Sequence, residues 1–171
     1  MSIKKIFYLG NDLLRQKSKP ISFPLSEDDK KLLINLKDTL YNFIAKNGFG
    51  RGIAAPQIGL LKQAICIDMT GNDPKYFINP EIIYYSQKKE KMFDDCFSMP
   101  YIMVNIFRSK SIKVKYYDET GQVHHKQFSG DWAELLQHEI DHLNGLLAID
   151  RVNSIRDIWS KAEYNEEFVN S

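Results

Sequence analysis

The chain has 171 residues, of which 43% are hydrophobic and 26% are charged. Such a composition is typical of soluble globular proteins and excludes collagen-like, disordered and disulfide-rich chains. The length suits one domain with one core, since single cores commonly run to ~100–200 residues. Lys and Arg number 23 against 22 Asp and Glu, so the formal net charge of +1 predicts no strong binding of nucleic acid, which requires a basic surface.

The sequence predicts neither a membrane span nor an export signal. No apolar run approaches the ~18 residues of a membrane-spanning helix, and segment 1–6 has too little apolar length for a signal peptide. The two cysteines, Cys66 and Cys96, are expected to be free thiols because a chain of this size does not need disulfides to fold. We therefore expect a protein of the cytoplasm with no membrane partner. We also expect it to be a monomer.

The first predicted element is a helix near residues 26–47. Ser26 is a typical N-cap residue, and acidic residues follow it up to Asp29. Apolar residues then recur at helical spacing, at Leu32, Leu33, Leu36, Leu40 and Phe43. Gly48 predicts the end of the helix, and segment 48–59, with four glycines, predicts a loop that allows close approach of other groups to its backbone.

The middle of the chain is predicted to be mainly β-structure. Runs rich in β-branched and aromatic residues predict strands over 64–69, 76–83 and 111–117. A turn at 118–121 leads to 122–128, which we expect to pair with the preceding strand as a hairpin. The lysine-rich run Lys88–Lys91 is expected to be a solvated turn.

A second helix is predicted after Gly130, with its end at Asn144-Gly145. Its apolar residues at helical spacing are Trp132, Leu135, Leu136, Ile140 and Leu143. We expect the tail 152–171 to be a short helix. Together these elements predict a single α+β domain over 1–171, in which helices pack on mainly antiparallel sheets.

The second helix carries the clearest chemical signal, His138-Glu139-Ile140-Asp141-His142. Two histidines four residues apart lie on one face of a helix, so both can bind one metal ion, and Glu139 can then act as a general base towards water. The pattern also arises by chance, in surface helices with two solvated histidines. Apolar residues flank this pair, which favours a position at the edge of the core.

A metal site of this kind needs a third protein ligand. His124 and His125 are candidates, but neighbours on a strand point to opposite faces, so at most one of them can contribute. Cys96 is the better candidate, because a thiolate, two imidazoles and a water make an open four-coordinate site. Cys66, which lies between two isoleucines, is expected to be a small core residue.

Three segments resemble, in order and spacing, the motifs of the peptide deformylase family. Gly50–Gln57 (GRGIAAPQ) is similar to the first motif, in which two glycines alternate with apolar residues before Ala-Ala-x-Gln. Asp94–Ser98 (DDCFS) resembles the second motif, Glu-Gly-Cys-Leu-Ser, and Gln137–Gly145 (QHEIDHLNG) resembles the third. The resemblance covers roughly residues 5–151. It implies a divergent member of the family, with mainly antiparallel sheets packed around a central metal-binding helix.

The resemblance also implies a reaction and the residues that perform it. Deformylases are hydrolases of protein biosynthesis that remove the N-formyl group from the initiator methionine of new polypeptides, giving formate and a free amine. The implied metal is Fe²⁺, which Zn²⁺ or Ni²⁺ can replace, and its implied ligands are Cys96, His138 and His142. Glu139 is implied as the general acid and base. The Gln57 side-chain amide and the Phe97 backbone N–H are implied as donors to the formyl oxygen.

The chain departs from the family pattern where the substrate side chain is expected to bind. The implied substrate-binding residues are Gly50, Arg51, Gly52, Asp95, Glu134 and Leu135. Arg51 stands at a usually apolar position, Asp95 replaces the usual Gly, and Glu134 occupies a site that is usually Arg or aliphatic. We expect Arg51 and Glu134 to form an ion pair at the pocket mouth, because an unpaired buried charge is costly. The alternative is that both side chains extend into solvent.

Three functions remain open from the sequence. The chain is an ordinary deformylase, an amidase of the same fold that acts on a different N-formyl or N-acyl compound, or a non-catalytic relative that binds metal. Retention of Glu139 and Gln57 beside the three candidate ligands argues against the third function. An unrelated zinc peptidase is disfavoured because the Cys ligand and the Gln57 motif do not belong to the usual arrangement of such enzymes.

Overall fold

The computed structural model describes residues 2–170, and the two terminal residues lie outside the described range. Its helices and strands are, in chain order, α1 (Glu27–Asn47), β1 (Gly52–Ala54), β2 (Ala64–Ile67), β3 (Lys75–Tyr85), β4 (Lys89–Cys96), β5 (Met99–Ser109), β6 (Ser111–Tyr117), β7 (Val123–Ser129), α2 (Asp131–Leu143), β8 (Ile158–Ser160) and α3 (Lys161–Phe168). Both sheets are antiparallel throughout, with strand orders β1-β2-β3-β6-β7 and β4-β5-β8. The predicted α+β class with antiparallel sheets is confirmed.

Helix α1 begins and ends where its capping residues predict. The Ser26 hydroxyl accepts a hydrogen bond from the Asp29 backbone N–H, and Gly48 takes the left-handed conformation, with φ of 76°, that ends the helix. The predicted apolar positions Leu32, Leu33, Leu36 and Leu40 are all buried. They pack against one face of the five-stranded sheet, at Ile53 and Ala64.

Helix α2 covers the opposite face of the same sheet. Leu136 and Ile140 pack with Ile65 and Ile67, whereas Ala64 and Cys66 belong to the core beneath α1. Strand β2 is therefore buried on both faces, which explains its unbroken apolar sequence. The helix also contacts β5 of the three-stranded sheet, and every residue from 135 to 143 is buried. It is the central element of the fold.

The hairpin formed by β4 and β5 was not predicted, and the expectation of a turn at Lys88–Lys91 is wrong. Residues 89–91 begin β4, which pairs with β5 along its whole length. Strand β4 is the edge of its sheet, where charged side chains can face water and also discourage pairing with other chains. These exposed charges interrupt the apolar pattern from which a strand is predicted, so β4 was not recognised in the sequence.

The C-terminal tail holds more structure than the short helix expected there. Strand β8 pairs with β5, and α3 follows it directly. An aromatic cluster joins this tail to β4, with Phe93 in contact with Trp159, Tyr164 and Phe168. Across residues 2–170, no helix combines the length and the apolar character that a membrane span requires.

Candidate active site

The three predicted metal ligands come together in the centre of the molecule. Cys96 Sγ lies 3.1 Å from His142 Nε2, which lies 3.2 Å from His138 Nε2. All three residues are buried, and their donor atoms lie within 4.8 Å of one another. A tetrahedral ion with metal–ligand bonds of ~2.0–2.3 Å requires ligand atoms separated by roughly 3–4 Å. One thiolate and two imidazoles at these separations therefore fit a divalent transition metal.

The local structure explains why these residues meet. Cys96 ends β4 and pairs with Met99 across a two-residue turn, so its side chain is held at the end of a rigid hairpin. The Ser98 backbone N–H points back to Cys96 Sγ at 3.4 Å. The two histidines lie one turn apart on α2, which faces this turn.

A buried carboxylate orients the first histidine. Asp94 Oδ1 lies 2.6 Å from His138 Nδ1, which leaves Nε2 for the metal. Asp94 Oδ2 accepts hydrogen bonds from Arg108 Nη2 at 2.8 Å and Nε at 3.3 Å. Burial alone would raise the pKa of Asp94, but His138 and Arg108 outweigh it and hold that pKa well below its usual range. The shorter carboxylate that replaces the usual Glu therefore still reaches the imidazole.

The same arginine continues the network to Asp141, which lies about one turn further along α2. Arg108 Nη1 donates to Asp141 Oδ2 at 2.6 Å. Arg151 donates to both carboxylate oxygens of Asp141. Both carboxylates that flank the guanidinium of Arg108 are thus paired, as buried charges require.

Glu139 is buried beside the metal ligands. Its Oε2 has no hydrogen-bond partner within residues 2–170. Burial raises the pKa of Glu139 to about 7, although His138 opposes the shift. A Cβ atom on residue 52 would lie 2.9 Å from Glu139 Oε1, so Gly52 is what leaves room for this carboxylate.

The Gln57 amide is fixed in one orientation. Its Oε1 accepts a hydrogen bond from the Ala54 backbone N–H at 2.9 Å, so Nε2 must face the cluster. There it donates to Ser98 Oγ at 3.2 Å and approaches Cys96 Sγ at 3.6 Å. Gln57 is 1% exposed, which makes the amide a rigid donor beside the thiol.

Phe97 lies in the turn that follows Cys96, and its ring forms one wall of the site. The ring stacks on Phe43 of α1 with centroids 3.7 Å apart. A Cβ atom on residue 50 would lie 2.6 Å from Phe97 Cζ, and Gly50 has a φ of +127° that side chains rarely adopt. Gly50 is therefore required both by its conformation and by the approach of this ring.

An open cleft of about 770 Å³, named here the active-site cleft, adjoins His138, Glu139 and Cys96. It is lined by all six predicted substrate-binding residues, Gly50, Arg51, Gly52, Asp95, Glu134 and Leu135. Sequence reasoning missed a further wall, formed by Lys161, Tyr164 and Asn165 of α3. The resemblance ended near residue 151, and no motif in the tail signalled that it returns to the cleft.

The three charged substitutions in the cleft are paired. Arg51 Nη2 donates to Glu134 Oε2 at 2.8 Å, and the Glu134 side chain is only 12% exposed, so the predicted ion pair is confirmed. Burial raises the pKa of Glu134, and Arg51 opposes this rise. Asp95 forms an ion pair of 2.9 Å with Lys161, so the carboxylate beside Cys96 is also compensated.

The remaining sequence candidates lie elsewhere. His124 is in β7, where its Nε2 lies 2.7 Å from Asp118 Oδ2, and neither it nor His125 belongs to the metal cluster. Cys66 is fully buried in the core, where burial raises the pKa of its thiol to about 12. It is a core residue, as its neighbours in the sequence indicated.

Comparison with known proteins identifies the family. The family model for polypeptide deformylase matches residues 3–157. The peptide deformylase of Thermotoga maritima is 38% identical over 149 residues, which is 87% of each chain. That of Pseudothermotoga lettingae is 40% identical over 154 residues, covering 90% of this chain and 85% of the relative.

Solved structures give the same result. The crystal structure of the Thermotoga maritima peptide deformylase superimposes with a TM-score of 0.82 at 36% identity, covering 90% of this chain and all (100%) of that one. The Synechococcus elongatus peptide deformylase in complex with actinonin gives a TM-score of 0.83 at 32% identity, covering 98% and 86% respectively. Because its sequence and its fold both match, the chain belongs to the polypeptide deformylase family.

Proposed function

We propose that the protein hydrolyses the N-formyl amide of formyl-methionine at the start of new polypeptides, releasing formate and a free N-terminal amine. One observation carries the proposal, the buried cluster of Cys96, His138 and His142 with Glu139 beside it and an open cleft in front. The family to which the chain belongs supports the same reaction.

Cys96, His138 and His142 would hold one divalent ion, and we propose Fe²⁺, with Zn²⁺ or Ni²⁺ able to replace it. The mixed sulfur and nitrogen donor set suits these ions. When bound, the ion supplies a Lewis acid that lowers the pKa of a water ligand. Metal analysis of protein purified without oxygen tests the choice of iron.

Glu139 is proposed to take the proton of the attacking water and to deliver it to the departing amine. A general base works best when its pKa is close to the operating pH, and the pKa of Glu139 is raised to about 7. Its unpartnered Oε2 is free to accept that proton. Asp94 supports the step indirectly, because it holds His138 in position.

Gln57 and Phe97 are proposed to stabilise the negative charge that grows on the formyl oxygen. The Gln57 Nε2 donor is held in place by the Ala54 backbone, so it needs no reorganisation during the reaction. The backbone N–H of Phe97 belongs to the tight turn that follows Cys96. Two donors on rigid segments beside the candidate ligands suit this role.

The active-site cleft is proposed to hold the methionine side chain, between Gly50, Arg51, Gly52, Asp95, Glu134 and Leu135. Gly50 and Gly52 add no side chains to the lining of the cleft, and Leu135 offers apolar contact. The Arg51–Glu134 pair makes one wall polar. We therefore expect the enzyme to use formyl-methionyl peptides less efficiently than relatives with an apolar wall.

We further propose that the whole chain acts as a single catalytic domain and as a monomer. Its substrate is formed during protein synthesis, which supports a location in the cytoplasm. The balanced charge of +1 supports the absence of strong nucleic-acid binding. Analytical ultracentrifugation of the purified protein tests the monomer.

The reaction is tested by a formate-release assay. Protein loaded with iron under anaerobic conditions is expected to release one formate per formyl-Met-Ala-Ser consumed. A Glu139→Gln variant, loaded in the same way, provides the matched inactive control. Absence of formate with iron, zinc and nickel forms alike would overturn the proposed function.

A further inference from the structure

A second depression, larger than the active-site cleft, adjoins it. This groove has a volume of about 980 Å³ and lies between the N-terminal segment, the end of α1 and the turn after β4. Its exposed walls include Lys4, Lys5, Tyr8, Lys46, Phe49 and Tyr101, and we name it the lysine groove. None of these six residues has a role in the chemistry proposed at Cys96, His138 and His142.

The lysine groove is continuous with the active-site cleft. Phe49, Phe97 and Lys161 line both depressions. Phe97 directly follows the candidate ligand Cys96, so the two depressions meet beside the reacting centre. A polypeptide whose first residue occupies the cleft therefore has a path into the groove along the shared aromatic wall.

The charge of the groove has one sign. Its lining contains Lys4, Lys5, Lys46 and Lys161 but no Asp or Glu. Lys161 is neutralised by Asp95. The other three lysines take part in none of the ion pairs found within residues 2–170. In a chain with a net charge of only +1, this is a local excess of positive charge.

The groove also exposes apolar surface between these charges. Tyr101 is 82% exposed although it lies within β5, and Tyr8 and Phe49 are each about half exposed. Large aromatic side chains left open to solvent around a concave surface favour a ligand with apolar groups. Combined with the lysines, they fit a segment that carries both carboxylates and aromatic or aliphatic side chains.

We propose that the lysine groove binds the part of the substrate polypeptide that follows the formylated residue, and that it favours segments with acidic and aromatic side chains. This inference rests on the proposed function, since it assigns the downstream subsite of the same reaction. A nucleic-acid ligand fits less well, because the groove contains no arginine and opens onto the cleft rather than onto a broad basic surface.

The test compares peptides that differ only downstream of the cleft. Formyl-Met-Ala-Ser-Asp-Phe-Glu and formyl-Met-Ala-Ser-Lys-Phe-Lys are assayed beside formyl-Met-Ala-Ser at low salt. Exposed ion pairs are individually weak, so we expect KM for the acidic peptide to be lower than for the basic one by about 5-fold, with kcat unchanged. The preference should shrink as salt is added.

Charge reversal identifies the groove as the cause. In Lys4→Glu/Lys46→Glu we expect the preference to vanish or invert, while turnover of formyl-Met-Ala-Ser stays at the wild-type value. The matched control is Lys88→Glu/Lys113→Glu, which changes the net charge equally at exposed positions outside both depressions. This control should keep the full preference for the acidic peptide.

Several results would overturn the inference. The first is that the two hexapeptides have equal KM values. The second is that the preference for the acidic peptide survives in Lys4→Glu/Lys46→Glu. The third is that Lys88→Glu/Lys113→Glu loses this preference to the same extent. Inhibition by a short single-stranded RNA that depends on Lys4 and Lys46, without any peptide preference, would assign the groove to nucleic acid instead. If formyl-Met-Ala-Ser itself is not hydrolysed, the proposed function fails, and fluorescence anisotropy with the two labelled hexapeptides still decides what the groove binds.

Discussion

At the scale of single residues, the geometry of the site depends on two glycines, because a side chain at either position would collide with a neighbouring group. Gly52 leaves the space that the Glu139 carboxylate occupies, and Gly50 leaves space for the Phe97 ring. The sequence shows these glycines as part of a motif, but only the packing shows which group each one admits. The position of the Glu139 carboxylate therefore depends on Gly52, a residue distant from it in the sequence.

Replacing Glu139 by Gln should leave the metal bound but nearly abolish hydrolysis. The amide has almost the same shape as the carboxylate but cannot accept a proton from water. General acid and base groups contribute ~10²–10⁴-fold, so we expect kcat to fall by that amount. Formate release and metal content are measured on the same preparation. A rate within a few-fold of wild type, at full metal occupancy, would contradict the proposed role.

Removing the Arg51–Glu134 pair should improve turnover of formyl-Met-Ala. The single changes Arg51→Leu and Glu134→Leu each leave a charge without its partner, and Glu134 is mostly buried. The double change replaces both by apolar surface, so we expect it to raise kcat/KM above wild type and above either single variant.

Asp131 provides the control for this cycle, because it is exposed and lies 3.9 Å from Arg51 Nη1. We expect Asp131→Asn to have little effect, as is usual for surface pairs. Additive effects of the two single changes, or no gain in the double variant, would show that the pair does not limit entry of methionine.

At the scale of elements, the sequence predicted those whose burial pattern is simple. Helix α1 has one apolar face and clear capping residues, and α2 has apolar residues at helical spacing and ends at Asn144. Strand β2 is apolar because both its faces are buried. The β4–β5 hairpin was missed because its edge strand begins with exposed charges. Yet Cys96 itself was found, since its motif, unlike its strand, does not depend on hydrophobic periodicity.

A helix in the tail was predicted, but the wall that α3 forms in the active-site cleft was not. Lys161, Tyr164 and Asn165 reach the active-site cleft only because β8 pairs with β5. Such a contact joins residues far apart in the sequence, and no local pattern encodes it. The charge of Asp95 is likewise explained only by its distant partner Lys161.

A buried carboxylate links α1 to the end of β2 and should make stability depend on pH. Asp68 accepts hydrogen bonds from the Tyr41 hydroxyl at 2.7 Å and from the backbone N–H groups of Thr70, Gly71 and Asp73. Burial acts to raise the pKa of Asp68, but these hydrogen bonds outweigh it and lower that pKa.

Because the folded-state pKa of Asp68 lies below that of the unfolded chain, the unfolded state binds more protons in acid. The stabilisation is therefore present above the unfolded pKa of ~3.9 and is lost as the pH falls through the folded value. We expect Asp68→Asn to be less stable than wild type at pH 7, with the difference shrinking below about pH 4. Urea unfolding over this range measures the difference.

The control for this experiment is Asp73→Asn, whose side chain is exposed and pairs with Lys75. It should lie close to wild type throughout. Tyr41→Phe removes one hydrogen bond to a charged group, so we expect it to cost ~1.5–3 kcal/mol at pH 7. A stability difference for Asp68→Asn that does not change with pH would contradict the assignment.

At the scale of the whole molecule, α2 joins two sheets that otherwise fold on separate cores. It packs on the five-stranded sheet through Leu136 and Ile140, and its histidines face Cys96 of the three-stranded sheet. The Arg108 network crosses the same boundary, since Arg108 of β5 pairs with Asp141 of α2. A metal ion held by the cluster would connect both layers directly.

Removal of the metal should therefore destabilise the whole protein and not only abolish activity. An ion present at 1,000 times its Kd stabilises the folded state by ~4 kcal/mol. For a chain of this length that corresponds to a Tm higher by roughly 8–16 °C. We expect a chelator to remove this increment from the wild-type protein, as measured by calorimetry with and without added Zn²⁺.

Variants of the two cysteines distinguish the loss of stability caused by metal removal from the loss caused by poorer core packing. Cys96→Ala removes a proposed ligand, so its Tm should be low and should no longer respond to chelator or to Zn²⁺. Cys66→Ala also deletes a buried thiol, but one outside the metal cluster, so it should lower the Tm through a small cavity and keep the full response to metal. If Cys96→Ala retains full metal content and its Tm still falls with chelator, Cys96 is not a ligand. If the Tm of Cys66→Ala no longer responds to chelator or Zn²⁺, the change in Tm reports general loosening of the core and not metal binding.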